Sequence, residues 1–307
     1  MAYAYPAPPV TVSQDATAYQ VHQFMKTPAL ISKRLRELVN EKFIADFLLS
    51  QRLVAQGGAI LYETGEDIYP NDAPEAIAPG GAYPNTVMTE GELAAAKTVK
   101  WGRDSAVTDE AISRLLMNPV EKALRKLANG TIRHIDEVAL GVIASKITGT
   151  YAGGTWDNAG QIIEDVLTAK AQHEENHVGE SYDLNVIVLK PTQYAKVAAK
   201  LVNDGMLPRE AQNPIGTGVF GPYMGLTWTT STHVPFSDPT LVDNEQLGGM
   251  ADEKISSPGY TSSAGIGVET KAIRKDEFDR YDVRARRVTV PVVLEPNAGL
   301  RITGTGV

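Results

Sequence analysis

The chain contains no cysteine, which excludes disulfides and thiolate metal sites and fits a reducing compartment. It has no apolar run approaching the roughly 20 residues that a bilayer-spanning helix needs. Its Tyr-, Pro- and Ala-rich start lacks a basic region followed by an apolar core, so neither export nor membrane insertion is indicated. Basic residues are in deficit: 29 Lys and Arg stand against 37 Asp and Glu, and the net charge of −8 opposes general adhesion to nucleic acid. There is no Walker loop and no GxSxG elbow, and Ser231 beside His233 has no third partner, so nucleotide and nucleophilic chemistry find no support. What remains is a folded chain. Its 307 residues, 43% of them hydrophobic, suffice for one large or two ordinary domains.

The dominant pattern is one long amphipathic helix over residues 118–148. Asn118 caps it, Pro119 takes the first helical position, and Thr148-Gly149 ends it. Val120, Leu124, Leu127, Ile135, Val138 and Val142 form its predicted core stripe, widened by Ala128, Ile132, Ala139 and Ile143. Between the cap and Thr148, at 1.5 Å per residue, the helix is a rod of roughly 43 Å, long enough to act as a spine. Glu121, Lys122, Arg125, Lys126, Arg133, Asp136 and Glu137 read as its solvated face. Gly130 and Gly141, unfavourable inside a helix, suggest that another backbone packs closely there.

Residues 1–28, including Tyr3 and Tyr5, have too little apolar periodicity for a core element and read as an extended arm. A second amphipathic helix follows from Ala29 to Leu48. Residues 53–62 then read as a strand broken by Gly57-Gly58. Between Glu63 and Gly91 the chain is rich in Pro and Gly, and extended character resumes at Leu93, so the segment reads as a long projecting hairpin with Ile68, Tyr69 and Tyr83 towards its tip. An ordered projection of this kind needs contacts from another molecule. Thr108-Asp109-Glu110 caps a short helix before the spine. Beyond the spine come a helix from Ala159, a buried strand at 186–189, a helix opened by Pro191, and a strand at 226–230, the alternation of an α/β lobe. The rest of 205–265 reads as loops. Strands at 267–272, 281–293 and 299–303 are expected to pack on the spine's apolar face. Arg284 and Arg286 alternate along the second of them and read as a solvated or subunit-facing sheet surface.

Two motifs invite chemistry. His173-Glu174-Glu175-Asn176-His177 matches HExxH, which sets two imidazoles on one helix face to bind zinc beside a general-base Glu. The surrounding Gln172, Glu175 and Asn176 are polar and Gly179 follows at once, so the segment reads as an exposed helix end. A zinc metallopeptidase using His173, Glu174 and His177 is the alternative function. Gly216-Thr217-Gly218-Val219-Phe220-Gly221 matches GxGxxG but lies between Pro214 and Pro222 instead of between strand and helix, and reads as a loop.

The order of parts resembles the major capsid proteins of tailed bacteriophages with the Hong Kong 97-type fold. The stretch Phe43 to Leu49 followed by Gly57 to Glu63 is similar to the entry into that family's extended loop, and Val99-Lys100-Trp101-Gly102 to its return. Val186 to Pro191, with Gly225-Leu226 and Val234-Pro235, is similar to its axial domain; Gly267 to Thr270 and Asp279 to Arg287 are similar to its closing peripheral strands. The resemblance implies an α+β fold. Its parts would be an N-arm with N-terminal helix (1–55), an extended loop (56–104), a peripheral domain with the spine (105–148 and 266–307) and an axial domain (149–265). It implies a non-enzymatic, cofactor-free subunit. That subunit would assemble as pentamers and hexamers into an icosahedral virion shell built in the bacterial host cytoplasm. The shell would enclose double-stranded DNA without sequence-specific binding, with scaffolding, portal and decoration proteins as further candidate partners. Many relatives carry a long cleavable N-terminal scaffolding segment that this sequence lacks, so scaffolding, if used, is expected from another protein. Lys97 and Lys100 lie near the hairpin base, and no cross-linking residue is carried over from relatives that join a loop Lys to an Asn. The expected assembly contacts are Tyr3, Tyr5, Ile68, Tyr69, Tyr83, Arg284 and Arg286.

Overall fold

A computed structural model of the chain describes residues 17–40, 43–65, 76–77, 91–180, 182–205, 223–262 and 268–307. In chain order the helices are α1 (Ala18–Met25), α2 (Pro28–Asn40), α3 (Ala45–Leu48), α4 (Asp109–Leu115), α5 (Asn118–Lys146), α6 (Ala159–Asn176) and α7 (Pro191–Asn203). The strands are β1 (Gln51–Val54), β2 (Ala59–Thr64), β3 (Glu92–Lys97), β4 (Val99–Thr108), β5 (Thr150–Ala152), β6 (Val186–Leu189), β7 (Thr227–Thr230), β8 (Thr240–Val242), β9 (Gly248–Asp252), β10 (Thr261–Ser262), β11 (Val268–Lys275), β12 (Arg280–Val293) and β13 (Gly299–Thr303). Among the described residues no helix is long and apolar enough to cross a membrane.

The chain forms two compact units. The first comprises Met1–Phe43, Val99–His134 and Asp252–Thr289; the second comprises Ile44–Thr98, Ile135–Ala251 and Val290–Val307. In the first, β11 and β12 pair antiparallel, and β4 adds to the other edge of β12 with Arg284 opposite Asp104. The N-terminal half of α5 lays Val120, Leu124, Leu127, Ala128 and Ile132 against Val268, Tyr281, Val283 and Ala285 of these strands, as the period of the helix requires. Thr108 caps α4, its hydroxyl accepting from the Ala111 amide at 3.3 Å. Contrary to the expectation of an extended arm over 1–28, residues 18–25 are helical. Thr17 and Gln20 form a capping box, and Val21, Phe24 and Met25, spaced for one helix face, are buried.

In the second unit a five-stranded sheet runs in the order β5-β13-β8-β6-β7. β6 is buried along its whole length and β7 pairs with it in parallel, as the α/β alternation predicts. Trp156, Ile162, Val166, Val197 and Leu201 of the flanking segments pack with Ile187, Leu189, Trp228 and Leu241 of the sheet. Gly57 and Gly58, at φ +68° and +86°, turn the chain from β1 into β2, and β2 pairs with β3 from Ala59↔Lys97 to Thr64↔Glu92. Gly249 lets β1 approach: a Cβ there would meet the Gln51 carbonyl oxygen at 2.3 Å.

Five further expectations need correction. Residues 299–303 pair with β5 and β8 in the five-stranded sheet and meet the spine at its C-terminal end, where Gly299 lies against Ile147 and Arg301 reaches the last carbonyls. The region 205–265 contains β8, β9 and β10 besides β7, strands of 3, 5 and 2 residues that are too short for a strand period to stand out in a loop-rich surround. On α5, Leu140 and Ile143 are buried, whereas Val138 and Val142 are half-buried; Val142 lies on the same line of the helix as Leu124, about five turns on, so the buried side itself changes where α5 passes from the first unit into the second at Ile135. Asp136, placed on the solvated face, is buried and accepts the Ala45 amide at 3.1 Å, while nothing lies within 4 Å of a Cβ built on Gly130 or Gly141, so no backbone packs there.

Candidate assembly interface

The HExxH segment straddles the end of α6. His173 lies in the helix and is only 4% exposed, so it is not part of an exposed helix end; His177 is the C-cap, outside helical geometry. Nε2 of His173 is 2.7 Å from the Asn297 carbonyl and Nδ1 of His177 is 2.9 Å from the His173 carbonyl. A carbonyl oxygen can only accept, so each of these ring nitrogens carries a proton and offers no lone pair to a metal. The two rings stack at 4.3 Å, and Tyr182 packs on both while its hydroxyl donates to Glu295 at 3.2 Å. Burial, the largest cause, holds the His173 pKa below the ordinary imidazole value and pushes the Tyr182 phenol up. Glu174 is exposed. Among the described residues no group of three His, Cys, Asp or Glu side chains is placed to hold a metal ion. The pair is a packing element of the second unit. Ser231 offers no nucleophile arrangement either: its hydroxyl accepts from the His233 backbone amide at 3.1 Å, while the His233 ring nitrogens face Glu137 at 3.7 Å and the Thr232 hydroxyl at 3.4 Å. The GxGxxG match lies outside the described residues.

The arginines of β12 are held within their own sheet. Arg284 forms a two-pronged pair with Asp104 directly across from it on β4, both contacts at 2.6 Å, and this hydrogen bonding keeps the Asp104 pKa below the usual carboxylate value. Arg286 pairs at 2.6 Å with Glu269, its opposite number on β11, and lies over the Tyr260 ring. Arg286 is 7% exposed and therefore sits inside the subunit instead of on a surface for a neighbour, whereas the Arg284 side chain keeps 40% exposure. Cross-strand register joins these partners, and register is not visible in local sequence.

The stem of the hairpin supplies a different surface. One face of β2–β3 turns Ile60, Tyr62 and Ala96 towards Ala55, Ala251 and Val292. The other leaves Leu61 70% and Leu93 67% exposed, and Val54 of β1 is 70% exposed as well. Leu61 sits opposite Ala95, and Leu93 opposite Glu63. Sequence reasoning missed Leu61 and Leu93, although a strand with apolar residues at consecutive positions, as in Ala59-Ile60-Leu61-Tyr62, already signals two faces that avoid water. Tyr3, Tyr5, Ile68, Tyr69 and Tyr83 lie outside the described residues.

The sequence profile of the phage capsid protein family matches residues 91–302, more than half of the chain. The chain belongs to that family. No curated protein matches this capsid protein in sequence. Solved structures do match it in fold. The capsid structure of cyanophage P-SCSP1u superposes with a TM-score of 0.61 at 12% identity, covering 86% of this chain and 89% of that one. The virus-like particle of Pyrococcus furiosus gives 0.56 at 11% identity, over 89% of this chain and 97% of that one. The SrpI encapsulin of Synechococcus elongatus gives 0.52 at 13% identity, over 87% and 86%. The capsid protein therefore has the α+β Hong Kong 97-type fold. It is a structural, non-enzymatic component of the virion.

Proposed function

We propose that this chain is the major capsid protein of a tailed phage, assembling as pentamers and hexamers into an icosahedral shell around double-stranded DNA. The observation that carries the reading is the hairpin stem, whose outer face presents Leu61 and Leu93 with no covering side chains from the described residues of its own unit. In a shell a neighbouring subunit covers that face. Residues 56–98 then act as the extended loop, the unit containing β4, β10, β11, β12 and the first half of α5 as the peripheral body, and 149–251 with β13 as the axial body. Scaffolding, portal and decoration proteins are further partners in this reading, and assembly takes place in the bacterial host cytoplasm. The test is assembly of the purified chain, with and without a scaffolding protein from the same source, followed by sedimentation and electron microscopy. Capsomers or closed shells are expected. A folded species that stays monomeric under all these conditions overturns the proposal.

A further inference from the structure

The exposed face of the spine has a charge pattern that opposes the chain as a whole. Lys122, Arg125, Lys126, Asn129 and Arg133 recur at steps of three and four on α5, and all five are exposed. At 100° per residue they fall within about 60° of one line and run for about 16 Å along the axis. The opposite side of the same turns is the buried stripe of Leu124, Leu127, Ala128 and Ile132. Two acids border the stripe: Glu121 is shared between two guanidinium groups, Arg34 at 3.4 Å and Arg125 at 3.8 Å, and exposed Glu137, one turn beyond Arg133, lies 3.7 Å from the His233 ring. The Arg34 contact brings α2 alongside, and α2 adds the exposed Lys33. A subunit with a net charge of −8 thus concentrates basic side chains along one straight line in its first unit.

We propose that this stripe is the surface the subunit turns towards packaged double-stranded DNA, where it contacts backbone phosphates without reading sequence. The inference rests on the capsid reading above and adds which face meets the genome. Two observations favour DNA over a neighbouring subunit's acidic surface. Of the described side chains between Asn118 and Lys146, no large apolar one is strongly exposed, whereas the centre of a protein interface is apolar and depleted in Lys. The stripe also runs along one side of the rod, three of its four charges within about 6 Å of rise and Arg133 about 10 Å further on, and an extended charged side suits a line of charge such as the duplex, with one phosphate per roughly 1.7 Å of axis. Lys and Arg on such a line position a backbone and carry no sequence information.

Lysine acylation of intact particles tests the proposal. Lys122 and Lys126 should react several-fold more slowly in DNA-filled particles than in the same particles after emptying, while exposed Lys196 on α7 reacts equally in both. A full-length variant carrying Lys122→Gln, Arg125→Gln and Lys126→Gln should still build shells. Its capsomers should bind a 30-base-pair duplex with a salt dependence flattened by about 0.9 in log–log slope for each phosphate that the variant no longer neutralises. Filled particles whose Lys122 and Lys126 are as reactive as in empty ones overturn this inference alone, as does a folded triple variant that no longer assembles, which would make the stripe a subunit contact. Failure of the unaltered chain to form particles overturns the capsid reading and this inference with it.

Discussion

Arg301 of β13 directs Nη2 at the Ile147 carbonyl oxygen at 2.8 Å, and the same nitrogen also donates to the Ala144 carbonyl. The last carbonyls of any α-helix lack partners within the helix, and a cation there also opposes the negative end of the helix dipole. A residue about 150 positions away in sequence thus closes the end of the spine. Arg301→Met keeps the apolar stem and removes the donors, so it should lower the stability of the second unit by about 1–3 kcal/mol. Arg301→Lys should recover part of the loss. Denaturant midpoints of the three proteins check this, and equal midpoints for Met and Arg would show that the cap contributes nothing.

The change of buried side along α5 can be measured directly. Leu124 is fully buried, so Leu124→Ala should cost about 2–5 kcal/mol through reduced transfer energy and the cavity left behind. Val138, half-buried, should cost about 1 kcal/mol when changed to Ala. Urea titrations that rank the two the other way round would place the core on the face extrapolated from the helix start.

Local pattern is enough for the spine's limits, the Gly57-Gly58 turn, the Thr108 cap and the buried strand at 186–189, because each depends on residues within one or two turns of each other. Long-range pairing decides the positions where local pattern misleads. Asp136 looks like a surface acid until the Ala45 amide arrives from 91 residues away, and Arg286 looks like an interface cation until register sets Glu269 opposite it. The helix at 18–25 has three apolar anchors, too few to stand out from a Pro-rich surround, and packing against the first unit's core stabilises it. Leu61 and Leu93 are hidden for another reason: their outward direction depends on which face of the hairpin stem meets Ala251 and Val292.

His173 should make the second unit acid-sensitive. Burial is the main cause of its lowered pKa, His177 adds to it, and the Asn297 carbonyl and Glu180 oppose it. Above the ordinary value of about 6.5 the ring is neutral in both folded and unfolded chains and has no effect. Below it the unfolded chain takes the proton first, so stability falls as pH drops towards the lowered folded value. His173→Gln should flatten this fall between about pH 7.5 and about pH 5. Thermal unfolding at both values checks the sign, and an unchanged difference in the variant would remove His173 as its source.

The two faces of the hairpin stem separate folding from assembly. Tyr62 packs inward with Ala55, Ala251 and Val292, so Tyr62→Asp places a carboxylate in an apolar cluster and should destabilise the subunit by several kcal/mol, as burial of an unpaired charge does. Leu61, the next residue, is 70% exposed, so Leu61→Asp should change subunit stability by no more than about 0.5 kcal/mol. In a shell the outcome reverses. If a neighbour covers the outer face, Leu61→Asp buries the same unpaired charge at every contact of that kind, and a change with almost no effect on the monomer should abolish closed particles. Circular dichroism of the subunit and electron microscopy of the assembly reaction read the two effects independently. Normal shells from a folded Leu61→Asp subunit would show that the outer face stays in water, and the assembly contacts would have to be sought elsewhere on the chain.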